Sequence, residues 1–205
     1  MPVPGYINIV YEDILSAAVI ERLLTFLNIP PVIHRRIGGQ GCGYIRSRIE
    51  AFYKAARFEP FFILLDSDNE ACAYNLLNSL VSSNKRHNLC LFRIAVREVE
   101  AWLLADAKGT SRFFGINERL VNKTPESLID PKGHLIELAQ LSKKRNIKEG
   151  IVPDSRTSAK IGPEYNPILS QFVKKHWDVK AASKRSESLR RALLAVEHFQ
   201  FAAGC

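Results

Sequence analysis

The sequence predicts an α/β fold in which a parallel sheet is sandwiched by helices and followed by a mainly helical C-terminal extension. Strand and helix patterns alternate four times between residues 5 and 110. The run FFILL at residues 61–65 lacks polar alternation, which indicates a strand that is buried on both faces. After residue 110, prolines separate helical patterns joined by polar, basic loops.

The spacing of apolar residues predicts each element of the first half. Residues 6–11, YINIVY, are rich in β-branched and aromatic side chains and predict a strand. Apolar residues between positions 15 and 27 then recur at helical spacing until Pro30 stops the pattern. The later elements are predicted as a strand at 32–37, a helix at 44–56, a strand at 61–65, a helix at 71–82, a strand at 89–96 and a helix at 98–105.

The second half is helical and basic. Helical patterns cover residues 132–144, 167–176 and 186–198. Residues 112–205 carry 17 lysines and arginines against 10 aspartates and glutamates, and so hold +7 of the chain's net charge of +8. We therefore expect an α/β domain over residues 1–110 and a basic helical extension over 111–205, packed together as one compact unit.

Positive charge of this kind either contacts nucleic-acid phosphates or forms a solvated helix surface, and composition leaves both interpretations open. Two arginines of the first half are added to these candidates: Arg46 follows the glycine-rich stretch at residues 38–43, and Arg97 directly precedes Glu98. The candidate nucleic-acid-binding residues are Arg46, Arg97, Lys143, Lys144, Arg145, Lys160, Lys174 and Lys175.

Acidic residues follow three of the four predicted strands. Parallel strands end at one edge of their sheet, so these side chains are expected to meet there. Crowded carboxylates raise one another's pKa unless a cation compensates them, and an oxygen-only ligand set suits Mg²⁺ or Mn²⁺. The pattern therefore predicts a divalent-metal site. The acids are Glu12 and Asp13 after the first strand, Asp66 and Asp68 after the third, and Glu98 and Glu100 after the fourth.

Each of these acids also has a structural interpretation. Asp13 or Asp68 would serve equally well as a helix N-cap, and Glu98 and Glu100 would pair with Arg93 or Arg97. A single Asp-x-Asp motif does not distinguish a helix cap from a metal ligand.

The glycine-rich stretch GGQGCG at residues 38–43 lacks the GK[ST] sequence of nucleotide triphosphatases. It predicts a tight turn from strand to helix. The amides at the start of that helix and Arg46 would be available to an anion.

The sequence lacks the patterns of membrane-spanning, secreted and zinc-binding proteins. Apolar runs are far shorter than the roughly 20 residues of a membrane helix, and the N-terminus lacks a secretory pattern. Neither the four cysteines nor the five histidines show metal-ligand spacing, and no nucleophile motif occurs. We expect a cytoplasmic protein without a membrane partner or a zinc site.

The order of a glutamate after the first strand, a glycine pair after the second and Asp-x-Asp after the third resembles the Toprim domain of topoisomerases, primases and related nucleases. Over nearly its whole length the chain is similar to the DUF4276 family of Toprim-like bacterial proteins, which is often considered alongside ATPases in phage defence. The stretches that carry this resemblance are YEDILSAAVIERLL, GGQGCGYIRSRI, ILLDSDN, RIAVREVEAWLLAD, DPKGHLIELA and AKIGPEYNPILSQFV.

The resemblance implies that Glu12, Asp66 and Asp68 hold Mg²⁺ or Mn²⁺, and we add Glu98 and Glu100 as candidate catalytic residues. The expected function is a metal-dependent nuclease that cleaves DNA or RNA as an effector in phage defence. The alternatives are a non-catalytic partner of an ATPase subunit and a glycosyl- or phospho-transferring enzyme that uses the Asp-x-Asp motif.

Overall fold

The computed structural model describes residues 5–28, 30–68, 70, 73–81 and 87–199. These residues form a four-stranded sheet, in the order β2-β1-β3-β4, in which every neighbouring pair of strands is parallel. The strands are β1 Tyr6–Tyr11, β2 Val32–Gly38, β3 Phe61–Asp66 and β4 Cys90–Ala95. The parallel α/β class expected from the sequence is confirmed.

Helices connect the strands and, joined by loops, form the second half of the described chain. The helices of the first half are α1 Ile14–Leu24, α2 Cys42–Ala55, α3 Ala73–Leu80, α4 Val99–Ala105 and α5 Ala107–Phe114. Two 3₁₀ turns, Glu118–Leu120 and Pro125–Ser127, lead into α6 Pro131–Gln140, α7 Arg145–Ile151, α8 Tyr165–Lys175, α9 Val179–Ser183 and α10 Glu187–Glu197.

The sheet is buried on both faces at its central strand β3, as the run FFILL predicts. All six residues of β3 are buried. Phe62 and Leu64 enter a core shared with α1, α4, α8 and α10, whereas Ile63 and Leu65 enter a second core shared with α2 and α3. Burial of each such side chain contributes about 1.5–3 kcal/mol relative to exposure, so this central strand anchors the fold.

The helices of the second half pack on the sheet domain. Helix α8 lies along α1 and α10 lies against β4, and their apolar residues join the core that contains β1. Trp177 Nε1 donates a hydrogen bond to the carbonyl of Trp102 at 3.2 Å, and both indoles are fully buried. The expected boundary at residue 110 falls inside α5, and the residues on its two sides share that core.

Several helix limits differ from the prediction for local reasons. The helix predicted at 132–144 ends at Gln140 because Ser142 turns the chain: its Oγ donates to the carbonyl of Phe114 at 2.5 Å and accepts from Lys144 N at 3.0 Å. Helix α5 was not predicted; the side chain of Asp106 begins it by accepting from Gly109 N at 2.9 Å. Of the helix predicted at 71–82, residues 71, 72 and 82 lie outside the described residues.

Within the described part of the chain, the search for a helix with the length and apolarity needed to cross a bilayer finds none.

Candidate functional site

The strand order reverses between β1 and β3, which are neighbours in the sheet. From β1 the chain goes outward to β2, and from β3 it goes outward to β4 on the opposite side. In open parallel sheets the crevice at such a point, beyond the carboxyl ends of the strands, is the usual ligand site. Glu12 directly follows β1 and Asp66 is the last residue of β3, so both predicted ligands flank this crevice.

Glu12 and Asp66 are in direct contact. Asp66 N donates a hydrogen bond to Oε1 of Glu12 at 2.8 Å, and Val99 N donates to Oδ1 of Asp66 at 3.0 Å. The first turn of α4 therefore fixes the orientation of the Asp66 carboxylate, and the end of β3 fixes that of Glu12.

Neither of these two carboxylates has a counter-charge in contact. Among the described residues, the ion pairs include neither Glu12 nor Asp66. Burial raises the pKa of Glu12 to about 7, although the hydrogen bond from Asp66 opposes this shift. Burial and repulsion from Glu100 and Glu12 raise the pKa of Asp66 well above its usual range. The pair is poised to gain from a bound cation.

Asp68 lies at the mouth of the same crevice, where two loops are joined. Asp68 N donates to the carbonyl of Arg97 at 2.9 Å, and Arg97 N donates to Ser67 Oγ at 2.8 Å. Asp68 and Arg97 have φ angles of 50° and 65°, the positive values among described non-glycine residues. Such strained backbone concentrates at functional sites. The half-exposed carboxylate of Asp68 faces Arg46, with Oδ2 3.5 Å from Nη2.

Glu98 and Glu100 belong to a network that sequence analysis did not identify. Lys132 Nζ lies 3.5 Å from Glu98 Oε1 and 3.6 Å from Glu100 Oε1. The hydroxyl of Tyr165 donates to Glu100 Oε1 at 2.9 Å, and Lys132 N donates to Glu98 Oε2 at 3.0 Å. Helix α6 therefore brings Lys132 to the two glutamates, a partner other than the Arg93 or Arg97 suggested from the sequence.

This network perturbs its own ionisable groups. Burial raises the pKa of Glu100 to about 7 even though Lys132 opposes the shift. Burial likewise opposes the charge on Lys132, but Glu100 and Glu98 outweigh it and raise the pKa of the lysine. Glu100 Oε2 is buried without a hydrogen-bond partner among the described residues.

A cavity of about 520 Å³ opens beside this edge, between the two joined loops and the start of α6. Its charged lining combines both signs, which suits a ligand that carries phosphate together with a cation. The polar and charged lining residues are Asp68, Arg97, Glu98, Asp130, Lys132 and Lys160.

The glycine-rich loop forms the tight turn that the sequence predicts. Gly39 N donates to the carbonyl of Tyr11, and Gly41 N to that of Glu12, so the loop holds the end of β1. A Cβ on Gly38 would lie 1.8 Å from the carbonyl oxygen of Tyr11. The loop therefore fixes the backbone of Glu12 through these hydrogen bonds. Helix α2 begins after it, with Gly41 as the N-cap residue.

Asp13 is a helix cap, as the structural interpretation allowed. Its Oδ1 accepts hydrogen bonds from both Ser16 N and Ser16 Oγ at 2.8 Å. The carboxylate of Asp13 is thus used to cap α1. Of the two acids that follow β1, Glu12 is the one that faces the crevice.

The eight predicted nucleic-acid-binding residues divide into two groups. Arg46, Arg97 and Lys160 lie at the acidic edge, as their contacts with Asp68 and the cavity show. The other five lie at the far end of α8, which starts at Tyr165 and rises roughly 15 Å before it ends. These five are Lys143, Lys144, Arg145, Lys174 and Lys175.

Contacts of the far group show why it is distant. Lys174 Nζ lies 3.9 Å from Oε2 of Glu21, near the end of α1 that points away from the crevice. Lys144 Nζ donates to the carbonyl of Phe113 at 2.7 Å, and the ring of Phe113 lies 5.4 Å from that of His176. Lys144 therefore has a structural role at the end of α5.

Comparisons with protein-family models, with curated proteins and with solved structures found no match to this chain. Its site is therefore interpreted from its own geometry.

The donor chemistry of the edge suits Mg²⁺ or Mn²⁺, although the ligand sphere is incomplete. Among the described residues, no three acidic, histidine or cysteine side chains form a group that could hold a metal ion. Mg²⁺ in phosphate-processing sites is commonly held by one or two carboxylates, with waters and substrate phosphates completing its coordination. The neighbouring carboxylates of Glu12 and Asp66, which have no ion-pair partner among the described residues, fit that mode of binding.

Proposed function

We propose that this protein is a Toprim-like nuclease that hydrolyses phosphodiester bonds of DNA or RNA with Mg²⁺ or Mn²⁺. One observation carries the proposal: Glu12 and Asp66 touch at the switch point of a parallel sheet, and neither is paired with a described cation. The resemblance to the DUF4276 family agrees with this activity and with a role as an effector in bacterial phage defence.

Glu12 and Asp66 would hold the metal, with Asp68 approaching from the mouth of the crevice. When bound, the ion supplies Lewis-acid activation of the scissile phosphate and charge stabilisation of the leaving oxygen. The side chain of Asp68 is half exposed and lies 3.5 Å from Arg46, its ion-pair partner among the described residues, so a turn toward the crevice would break no described buried contact.

The remaining residues of the edge have roles that follow from their chemistry. Arg97 and Lys160 line the cavity and would bind the phosphates that flank the scissile bond. Glu98 and Glu100 act through Lys132, as positioning residues.

The alternative is a non-catalytic partner of an ATPase. One observation favours it: Lys132 is already in ion-pair contact with both Glu98 and Glu100, so part of the acidic edge has a partner within the chain. In that case the fold would serve as a docking subunit, and cleavage would be absent with any metal.

Cleavage of labelled single- and double-stranded DNA and RNA, with Mg²⁺, Mn²⁺ or EDTA, tests the proposal. Asp66→Asn should abolish metal-dependent cleavage. The matched control is Asp178→Asn, because Asp178 caps α9 from an exposed position and asparagine caps equally well. Equal activity of the wild type and Asp66→Asn, or no cleavage by the wild type under any condition, would refute a nuclease.

A further inference from the structure

The acids of the carboxyl edge divide into two pairs by their partners. Glu98 and Glu100 share one ammonium group, that of Lys132, at 3.5 and 3.6 Å. Glu12 and Asp66 receive hydrogen bonds from backbone amides and have no cation in contact among the described residues. One pair thus already has a cation in contact within the chain, and the other has none among the described residues.

Lys132 occupies a position that is costly for a cation unless acids require it there. It is the second residue of α6, where the positive end of the helix dipole opposes an ammonium group. Its backbone N–H donates to Glu98 Oε2 while its side chain reaches Glu98 Oε1 and Glu100 Oε1. The same residue is held at both ends by this acidic pair.

The surroundings of Glu100 show that this pair is built around a cation. Glu100 is 1% exposed, and the Tyr165 hydroxyl that donates a hydrogen bond to it is uncharged. A buried carboxylate without a counter-charge is strongly destabilising, so the ammonium of Lys132 is the positive charge that this position requires.

We propose that Lys132 takes the place of a second metal ion: its ammonium bridges Glu98 and Glu100, so the edge binds one divalent ion, at Glu12 and Asp66. The inference rests on the proposed function, because it concerns the same site. Lys132 is a positioning residue that fixes the number and location of cations. The second positive charge near a bound phosphate is therefore supplied by the chain itself.

Counting of Mn²⁺ tests this assignment. Free Mn²⁺ is measured by electron paramagnetic resonance during titration of the full chain at pH 8, for the wild type, Lys132→Met, Lys132→Arg and Lys160→Met. We expect one ion in the wild type, in Lys132→Arg and in Lys160→Met, and two in Lys132→Met. Lys160→Met is the matched control, since it removes the same charge beside the same cavity without a described contact to Glu98 or Glu100.

A double variant keeps the test decisive if Lys132→Met fails to fold. Glu98→Gln combined with Glu100→Gln removes the partners of the lysine, and it should still bind one ion with an affinity within about threefold of the wild type. Loss of that ion would place the metal at Glu98 and Glu100 and overturn the assignment.

The remaining outcomes separate this inference from the proposed function. Two ions in the wild type, or one ion in both the wild type and Lys132→Met, would overturn the role of Lys132 while leaving a metal-dependent nuclease intact. No ion in the wild type but one in Lys132→Met would support Lys132 as the resident cation and count against the nuclease. No ion in either protein would overturn both.

Discussion

The amide of Asp66 donates a hydrogen bond to the carboxylate of Glu12 at 2.8 Å, and this contact joins the ends of two neighbouring parallel strands. The residues are 54 positions apart in the chain, yet the direction of the strands requires both to leave the sheet at the same edge. Burial of this pair costs stability when its carboxylates ionise. A cation bound at this pair would offset that cost.

Glu12→Gln should change how the free energy of unfolding depends on pH. The pKa of Glu12 is raised from 4.5 in the unfolded chain to about 7 when folded. The contribution of Glu12 titration to the free energy of unfolding is therefore complete below pH ~4.5, and it is lost as the pH rises through about 7. The variant, whose amide oxygen still accepts from Asp66, should be more stable than the wild type at pH 8 by up to ~3 kcal/mol.

Urea denaturation without divalent ions, at pH 4.5 and at pH 8, measures this difference. A smaller pH slope remains in the variant because the pKa of Glu100 is also about 7. If wild type and Glu12→Gln lose the same stability between the two pH values, Glu12 does not titrate as the structure indicates.

Added Mg²⁺ or Mn²⁺ should stabilise the protein more at pH 8 than at pH 5.5. A metal ion needs ionised ligands, and the raised pKa values of Glu12 and Asp66 leave them protonated at the lower pH. At about 100 times Kd the ion adds ~2.7 kcal/mol, which corresponds to a rise in Tm of roughly 5–10 °C. Thermal denaturation with and without the ion measures it.

Asp66→Asn should abolish this shift in Tm, and Asp178→Asn should retain it, since Asp178 caps a helix on the surface. An equal shift at both pH values would show that the ion binds elsewhere.

Gly38→Ala should destabilise the protein and disturb Glu12, because the new Cβ would meet the carbonyl oxygen of Tyr11 at 1.8 Å and φ is 152°. We expect a loss of about 2–4 kcal/mol and a loss of metal affinity. Gly43→Ala is the matched control. That glycine lies in the first turn of α2 with open space around it, so alanine should stabilise by about 0.5–1 kcal/mol. Urea denaturation and Mn²⁺ titration of both variants provide the comparison.

The sheet and half of the site could be predicted from the sequence because they depend on local patterns. A continuous apolar run such as residues 61–65 identifies a strand that is covered on both faces, and parallel strands share an edge. The contact between Glu12 and Asp66 follows from those two facts. Cap geometry is similarly local, which is why Asp13 could be considered as a cap.

The partners of Glu98 and Glu100 could not be predicted, because they arrive from helices whose packing no local pattern specifies. Lys132 is 34 residues from Glu98, and Tyr165 is 65 residues from Glu100. One signal was available: Lys132 stands at the start of a helix, directly after Asp130 and Pro131, where a cation is unfavourable without acidic neighbours.

The location of the basic residues was equally hidden. Net charge identifies the second half as basic, but the separation of Lys160 from Lys174 and Lys175 depends on the direction in which α8 runs.

Tyr165→Phe should destabilise the protein by about 1.5–3 kcal/mol, because the hydroxyl donates to the buried carboxylate of Glu100 at 2.9 Å. It should also raise the midpoint at which Glu100 ionises. Tyr74→Phe is the matched control, since Tyr74 is 64% exposed and its change should stay within about 0.5 kcal/mol. Denaturation at pH 8 measures both, and equal stability of the two variants would mean that this hydrogen bond contributes nothing.

Replacement of the basic residues should reveal which of the two groups contacts substrate. Arg97→Gln and Lys160→Gln remove charges that line the cavity beside Asp68, and each should slow cleavage by about tenfold. Lys175→Gln removes an exposed charge at the far end of α8, where a short substrate bound at the acidic edge does not reach, and should change the rate by less than about twofold. Single-turnover cleavage of a short oligonucleotide measures these rates. If Lys175→Gln were as slow as Arg97→Gln, the substrate would have to run along α8 from one end to the other, and the cavity alone would not define its path.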